Sequence, residues 1–388
     1  MFIELAKRLQ HTEEYYFSKK LREIDELNKK GAKVINLGIG SPDLPPHPSV
    51  IETLNTYAQL PNTHGYQSYK GAPALRNAIA AWYNSYYHVI FNPETEILPL
   101  IGSKEGIMHI CMTYLQEGDE ALIPNPGYPT YSSAVRLAGA KGIYYTLGAE
   151  KNWLPDLEAL AKQDLSRVKL MWINYPHMPT GATANRSFFK QLIAFAKEHH
   201  ILLCHDNPYS FILTDKPTSL MTEDGAKEVA IELNSLSKSG NMAGWRVGML
   251  VGHQDRINEI MRFKSNMDSG MLLPLQMAAA KALELEQDWY DQLNDTYKAR
   301  REKVYELLDE LQCPYNRSQV GLFIWAHVPD TYIDGYQLSD KVLQQSAVFI
   351  TPGGIFGSAG EHYIRVSLCT PVATLQEAIN RIKQHKSV

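Results

Sequence analysis

Ile231-Glu232-Leu233-Asn234-Ser235-Leu236-Ser237-Lys238-Ser239-Gly240-Asn241-Met242-Ala243-Gly244-Trp245-Arg246 reads as an apolar strand running into a loop of small hydroxyl residues that carries one lysine. Val247 to Val251 then restarts a strand, so Lys238 and Arg246 leave adjacent strand ends eight positions apart. A nucleophilic lysine needs this kind of setting, because its amine attacks a carbonyl only when neutral and burial near other cations lowers its pKa. Hydroxyls from Ser235 and Ser237, with the planar fork of Arg246, offer charge-assisted hydrogen bonds to a phosphate. Taken alone, Lys238 also reads as a solvated lysine in a serine-rich turn.

Outward from this loop, strand and helix signals alternate. Ile97 to Ile101, Ala121 to Ile123, Val168 to Ile173 and Ile201 to Cys204 read as strands, and each gives way to proline, glycine or a helical period. Ile107, Ile110, Cys111, Tyr114 and Leu115 recur at helical spacing, as do Phe188, Leu192, Phe195 and Ala196. This alternation predicts an α/β domain with a mostly parallel sheet, in which ligands gather at the carboxyl ends of strands. Gly102-Ser103, Asn174 and Asp206-Asn207-Pro208-Tyr209 fall at such ends. Beyond about Asp288 the pattern changes to a long charged helix, Gln292 to Glu310, and a strand, Val320 to Val328. We therefore expect residues 46–287 to form a large domain, and residues 1–45 with 288–388 a smaller α+β domain.

A chain of 388 residues suits such a pair of cores. A net charge of −4 with scattered Lys and Arg gives no electrostatic footprint for nucleic acid or an anionic membrane. Cys111, Cys204, Cys313 and Cys369 are widely spaced and mostly sit in apolar runs, as buried free thiols do in a reducing cytoplasm. No stretch is apolar enough to span a membrane, and Met1 to Arg8, with an acid at Glu4, does not read as an export signal. His199, His200 and His205 lack metal-ligand spacing, so no metal is assigned.

Ser235-Leu236-Ser237-Lys238 followed by Met242-Ala243-Gly244-Trp245-Arg246-Val247-Gly248 resembles the cofactor-lysine signature of the fold type I, class I and II aminotransferases. Ile35 to Asp43, Tyr66 through Gly71 to Arg76, Gly102-Ser103-Lys104-Glu105, Pro124 to Tyr128, Pro179-Thr180-Gly181, Asp206 to Tyr209 and Tyr363 to Ser367 match the same family in order, over nearly the whole chain. The resemblance implies a mostly parallel seven-stranded sheet between helices and a pyridoxal 5′-phosphate cofactor held as a Schiff base on Lys238. It implies that Lys238 is the base, and that Asp206 pairs with the pyridine nitrogen. Tyr209 and Asn174 would stand near the phenolic oxygen, with Tyr128 stacked on the ring. Ser103, Lys104, Ser235, Ser237 and Arg246 would hold the phosphate at a helix N-terminus. Tyr66 would reach the phosphate of a neighbouring subunit, making a homodimer. Arg365 would clamp the substrate carboxylate beside the backbone of Ile39 and Gly40.

The chain departs from the family at Met178, which stands where an asparagine usually donates to the phenolic oxygen; a thioether cannot donate. His177 beside it reads as an exposed loop histidine. Lys264 to Gly270 and Tyr15-Tyr16-Phe17 resemble aminotransferases of the LL-diaminopimelate type, with Tyr15 a substrate contact. No arginine marks a second carboxylate clamp, which disfavours aspartate and leaves methionine, aromatic and other neutral amino acids open. The expected function is transfer of an amino group between an amino acid and a 2-oxo acid. A carbon–sulfur β-lyase or a decarboxylase on the same scaffold is the alternative. A regulator on this fold would need a helix-turn-helix that the chain lacks, and Gly38-Ile39-Gly40-Ser41-Pro42 lacks the third glycine of a nicotinamide site.

Overall fold

Along Val168–Ile173, Leu170 and Trp172 enter one apolar layer while Met171 and Ile173 enter another. A strand buried on both faces needs this composition, with helices covering each side of its sheet. The computed structural model describes residues 3–9 and 16–386. In chain order its strands are β1 (Ile35–Asn36), β2 (Ile97–Leu100), β3 (Glu120–Asn125), β4 (Lys141–Thr146), β5 (Val168–Ile173) and β6 (Leu202–Asp206). β7 (Ala230–Ser235), β8 (Gly248–Gly252), β9 (Phe323–His327), β10 (Val348–Phe349), β11 (Thr351–Pro352) and β12 (Tyr363–Ser367) complete the set.

Seven strands form one sheet in the order β2-β8-β7-β6-β5-β3-β4. Every pairing in it is parallel except the two made by β8, which runs against β2 and β7. The fold is therefore the expected α/β class. β4 was not anticipated from sequence: as an edge strand it is buried on neither face throughout, and its run Lys141-Gly142-Ile143-Tyr144-Tyr145-Thr146 carries little periodic signal.

The remaining strands belong to a second layer. β11, β12 and β9 form an antiparallel sheet in that order, and β1 pairs in parallel with β10. The helix Gln287–Glu310 packs Tyr297, Val304 and Leu308 into the same core as Leu37, Ile324, Val366 and Ile379. The helix Tyr16–Lys29 seats Ile24 against Leu343 and Phe349. The strand expected over 320–328 is shorter because Gly321, at φ +85°, turns the chain before Phe323. Among the described residues no helix is long and apolar enough to cross a membrane.

Parallel β5, β6 and β7 deliver Asn174, Asp206 and Ser235 to one edge of the large sheet, and β2 delivers Gly102 to the same edge. The hairpin-like reversal into β8 returns Arg246 there as well, since Ser235 pairs with Gly248.

Candidate active site

A cavity of about 320 Å³ opens at this edge. Ser103 and Lys104 line it from the first turn of the helix Ser103–Tyr114. Gly102 makes that start possible: its φ of +80° suits glycine, and a Cβ there would lie 2.1 Å from Nη2 of Arg246. The guanidinium therefore lies directly over the helix N-terminus, where unpaired N–H groups favour an anion. Arg246 itself holds φ +57°, a left-handed conformation that costs a non-glycine residue about 1–2 kcal/mol. Its Nη1 donates to the Ala243 carbonyl at 2.8 Å and lies 3.4 Å from the Ser237 hydroxyl.

Ser235 lines the cavity too, but its hydroxyl is engaged by backbone. It accepts from the Ser237 N–H and donates to the Val247 carbonyl, capping the short helix Leu236–Ser239 that carries the lysine. The lysine loop is thus braced at both ends before any ligand is considered.

Lys238 is half-buried, and its Nζ donates to the Gly40 carbonyl at 2.6 Å. Burial, reinforced by the charges of Arg365 and Arg246, holds its ammonium below the ordinary lysine value. Arg365 donates from Nη2 to the Gly38 carbonyl at 2.7 Å, two residues earlier. Its guanidinium stands 3.8 Å from the Phe323 ring centre, 4.6 Å from that of Phe356 and 5.7 Å from that of Phe17. The Met178 sulfur lies 3.3 Å from Nη1.

Asp206 closes the far side. Burial pushes its carboxyl up to about 6, while a hydrogen bond from Tyr131, His205 and Lys238 pull it back. Tyr131 donates to Oδ2 at 2.8 Å, and Oδ1 is buried with no partner among the described residues. Asn174 donates to the Asp206 carbonyl at 2.6 Å and accepts from the Met178 N–H at 2.7 Å, so one N–H of its amide remains for a ligand. Burial raises the Tyr209 and Tyr128 hydroxyls above their ordinary values, keeping both protonated as donors.

Ile39 and Gly40 also line the cavity. Tyr66 does not; it is 94% exposed. Tyr15 lies outside the described residues, though Phe17 from the same run reaches the cavity. Sequence reading missed Tyr131, Phe17, Phe323 and Phe356. Tyr131 stacks on Trp172 at 5.0 Å, and only the packed sheet reveals that its hydroxyl meets Asp206. His177 is corrected: it is buried, bonded through Nδ1 to Thr180, and burial lowers it to about 3, so it stays neutral. Glu105, His109 and Asp268 form a cluster of metal-ligand types that sequence reading passed over, with the Lys264 ammonium 2.6 Å from Asp268 supplying positive charge there.

Residues 32–382 match the family model for aminotransferase class I and II. The chain belongs to the class I and II aminotransferases. It is 43% identical over 387 residues to an LL-diaminopimelate aminotransferase of Dehalococcoides mccartyi, covering 99% of this chain and 100% of that one. A counterpart of the same name in Aquifex aeolicus is 37% identical over 99% of both chains. Among solved structures, apo-BacF from Bacillus subtilis superposes with a TM-score of 0.95 at 38% identity, covering 99% of this chain and 98% of that one. An aminotransferase from Staphylococcus aureus gives 0.89 at 29% identity, covering 98% of each.

The aminotransferase depends on pyridoxal 5′-phosphate and transfers amino groups between amino acids and 2-oxo acids. The cavity suits that group on its own features. A half-buried lysine of lowered basicity can meet an aldehyde, the Oδ1 of Asp206, unpartnered among the described residues, can accept from a ring N–H, and the Gly102 to Lys104 turn under Arg246 can take a phosphate.

Proposed function

We propose that Lys238 is the residue that binds the cofactor and moves the substrate proton, and that Arg365 positions the amino acid by its α-carboxylate. One observation carries this: Lys238 and Arg365 converge on the same three-residue stretch of backbone, bonding to Gly40 and Gly38 respectively. An α-amino acid that replaces those two backbone contacts would bring its carboxylate to the arginine and its Cα to the lysine. Pyridoxal phosphate, when bound, supplies an aldehyde for amines and a ring that accepts the electron pair left on Cα. Lys238 would take the Cα proton and pass it on to the cofactor; Asp206 would accept the ring N–H; Tyr209 and Asn174 would donate toward the phenolic oxygen; Tyr128 would cover the ring. Net, the substrate would exchange C–NH₂ for C=O and the cofactor the reverse. The lyase alternative finds no support among the relatives.

Ser103, Lys104, Ser237 and Arg246 would grip the phosphate, with Ser235 bracing the loop. The exposure of Tyr66 favours its reaching a second copy of the chain, so we read the enzyme as a homodimer with shared sites. Residues 46–287 would be the cofactor-binding domain and 1–45 with 288–388 the small one; the β1–β10 pairing favours that division. A cytoplasmic location fits the buried free cysteines.

The test is a single-turnover measurement without oxo acid, in wild type and Lys238→Ala. Wild type should lose the cofactor's visible absorbance and release a 2-oxo acid, whereas the variant should fall by about 10⁴-fold or more while still binding the cofactor. A variant of near wild-type rate would sink the assignment.

A further inference from the structure

We propose that Asp268 is a positioning residue for the cofactor site of the second copy of the chain rather than for its own. The proposal rests on the homodimer reading above, in which Tyr66 reaches the phosphate of the other copy, and it deepens that reading by naming what holds Tyr66 in place. Tyr66 is 94% exposed, so its direction is set by the backbone that carries it. That backbone packs on the turn that follows the helix Gln254–Lys264: a Cβ on Gly270 would stand 2.7 Å from the Ser68 carbonyl oxygen and 2.9 Å from that of Gln67. Gly270 holds φ +83°, which the lack of a side chain permits, and its N–H donates to Oδ1 of Asp268 at 2.9 Å. Gln276 makes a second tie. Its Oε1 accepts from the Ala72 N–H at 2.6 Å, and its Nε2 donates to the Met271 carbonyl at 2.6 Å. Residues 66–72 and 268–276 therefore form one packed unit.

Charge anchors the unit. The Lys264 side chain is buried at the end of its helix, and Nζ donates to Oδ1 and Oδ2 of Asp268 at 2.6 and 2.7 Å. Separating a buried pair leaves an uncompensated charge, so the turn is held firmly to the helix end. Glu105 and His109 stand beside this pair, their ligand-type atoms within 4.8 Å of that of Asp268. With the Lys264 ammonium already bonded to both oxygens of Asp268, we read the cluster as a brace rather than a metal site. Glu105 accepts from the Ile101 N–H at 2.5 Å and lies 2.8 Å from Nε2 of His109. These two contacts hold the start of the chain's own phosphate-binding helix and do not pass through Asp268. Loss of Asp268 should therefore loosen the Tyr66 segment and spare that helix start.

The experiment uses hybrid dimers isolated by two different affinity tags, in which one chain carries Lys238→Ala and only the other can hold the cofactor covalently. In the first hybrid Asp268→Ala is placed on the Lys238→Ala chain, which lends its Tyr66 to the competent site. In the second it is placed on the competent chain. Pyridoxal 5′-phosphate is titrated into each, and the visible absorbance formed with Lys238 gives the dissociation constant. It should be about 10-fold weaker in the first hybrid, as expected for losing a hydrogen bond to a charged group, and unchanged in the second. Gly270→Ala leaves the ion pair intact and should reproduce the pattern. Asp268→Asn keeps an acceptor for the Gly270 N–H and should have a smaller effect. In the cofactor-free homodimer, amide hydrogen exchange over residues 66–72 should quicken in Asp268→Ala. Tyr66→Phe, placed in the same two arrangements, is the control. If Tyr66→Phe weakens the competent site from the other chain but Asp268→Ala and Gly270→Ala act equally from either chain, chiefly from the competent chain, or not at all, the proposal is overturned while the homodimer reading stands. If Tyr66→Phe has no effect from the other chain, both fall together.

Discussion

Tyr131 donates its phenolic hydrogen to Oδ2 of Asp206 at 2.8 Å, leaving the opposite oxygen buried with no partner among the described residues. A carboxylate so placed is costly to ionise until a donor arrives, and burial accordingly lifts it from 3.8 to about 6.

A pH-dependent stability follows for the cofactor-free protein. The folded state binds the Asp206 proton more tightly than the unfolded chain does. The associated stability is therefore complete below about pH 4 and is lost as pH rises through about 6. Asp206→Asn should raise the melting temperature of cofactor-free enzyme at pH 8 by a few degrees, corresponding to on the order of 2–3 kcal/mol, and the gain should shrink toward pH 5. Scanning calorimetry at three pH values checks this. A variant less stable than wild type at pH 8 contradicts it.

Arg365 makes two directed contacts that a point charge cannot reproduce. Arg365→Lys should lower kcat/KM about 10- to 100-fold, mostly through KM, because the flat fork to a carboxylate is lost while positive charge remains. Steady-state kinetics on the preferred amino acid decide. A drop in kcat alone would point to a structural role.

Gly102 can be tested without touching any group that contacts substrate. In Gly102→Ala the new Cβ collides with Nη2 of Arg246 and the backbone is held at φ +80°. Cofactor binding, measured by equilibrium dialysis, should become at least 10-fold weaker. Unchanged retention would remove this turn from the phosphate site.

In the proposed site, Met178 would leave the phenolic oxygen with one donor fewer than an asparagine there. Titrating the visible absorbance of the bound cofactor should give a higher pKa in wild type than in Met178→Asn, since a less stabilised phenolate holds the neighbouring proton harder. Equal values, or the reverse order, would mean that Tyr209 and Asn174 already satisfy that oxygen.

Much of the scaffold was legible because β5, β6 and β7 are buried on both faces and read as continuous apolar runs with loops at their ends. Lys238, Asp206 and Asn174 could be picked out since each follows such a run. β4 was not legible, lying at an edge with a mixed surface. Tyr131 was missed for a different reason: it lies in the helix Pro129–Leu137 and becomes a partner of Asp206 only when that helix packs on Trp172. Phe17 lies about three hundred residues from Phe323 and Phe356, which themselves come from different segments, and nothing local to any of them signals that they surround one arginine. His177 looked like a loop residue because its neighbours are prolines, yet its loop is tucked against β6 through His205, whose Nε2 lies 3.0 Å from the Tyr175 carbonyl.

The reversed direction of β8 has a consequence for how the coenzyme is kept. A parallel β8 would have had to start at the opposite edge of the sheet, carrying the connection from β7 across its whole length before pairing. The antiparallel return, Leu236 to Val247, instead starts β8 beside the end of β7 and keeps Lys238 and Arg246 at one corner, bonded across Ser235 and Val247. On the roles proposed for Lys238 and Arg246, the grip on the phosphate would then not loosen when the lysine gave up its amine partner. The coenzyme would stay in place and be recharged there, rather than diffuse away between cycles.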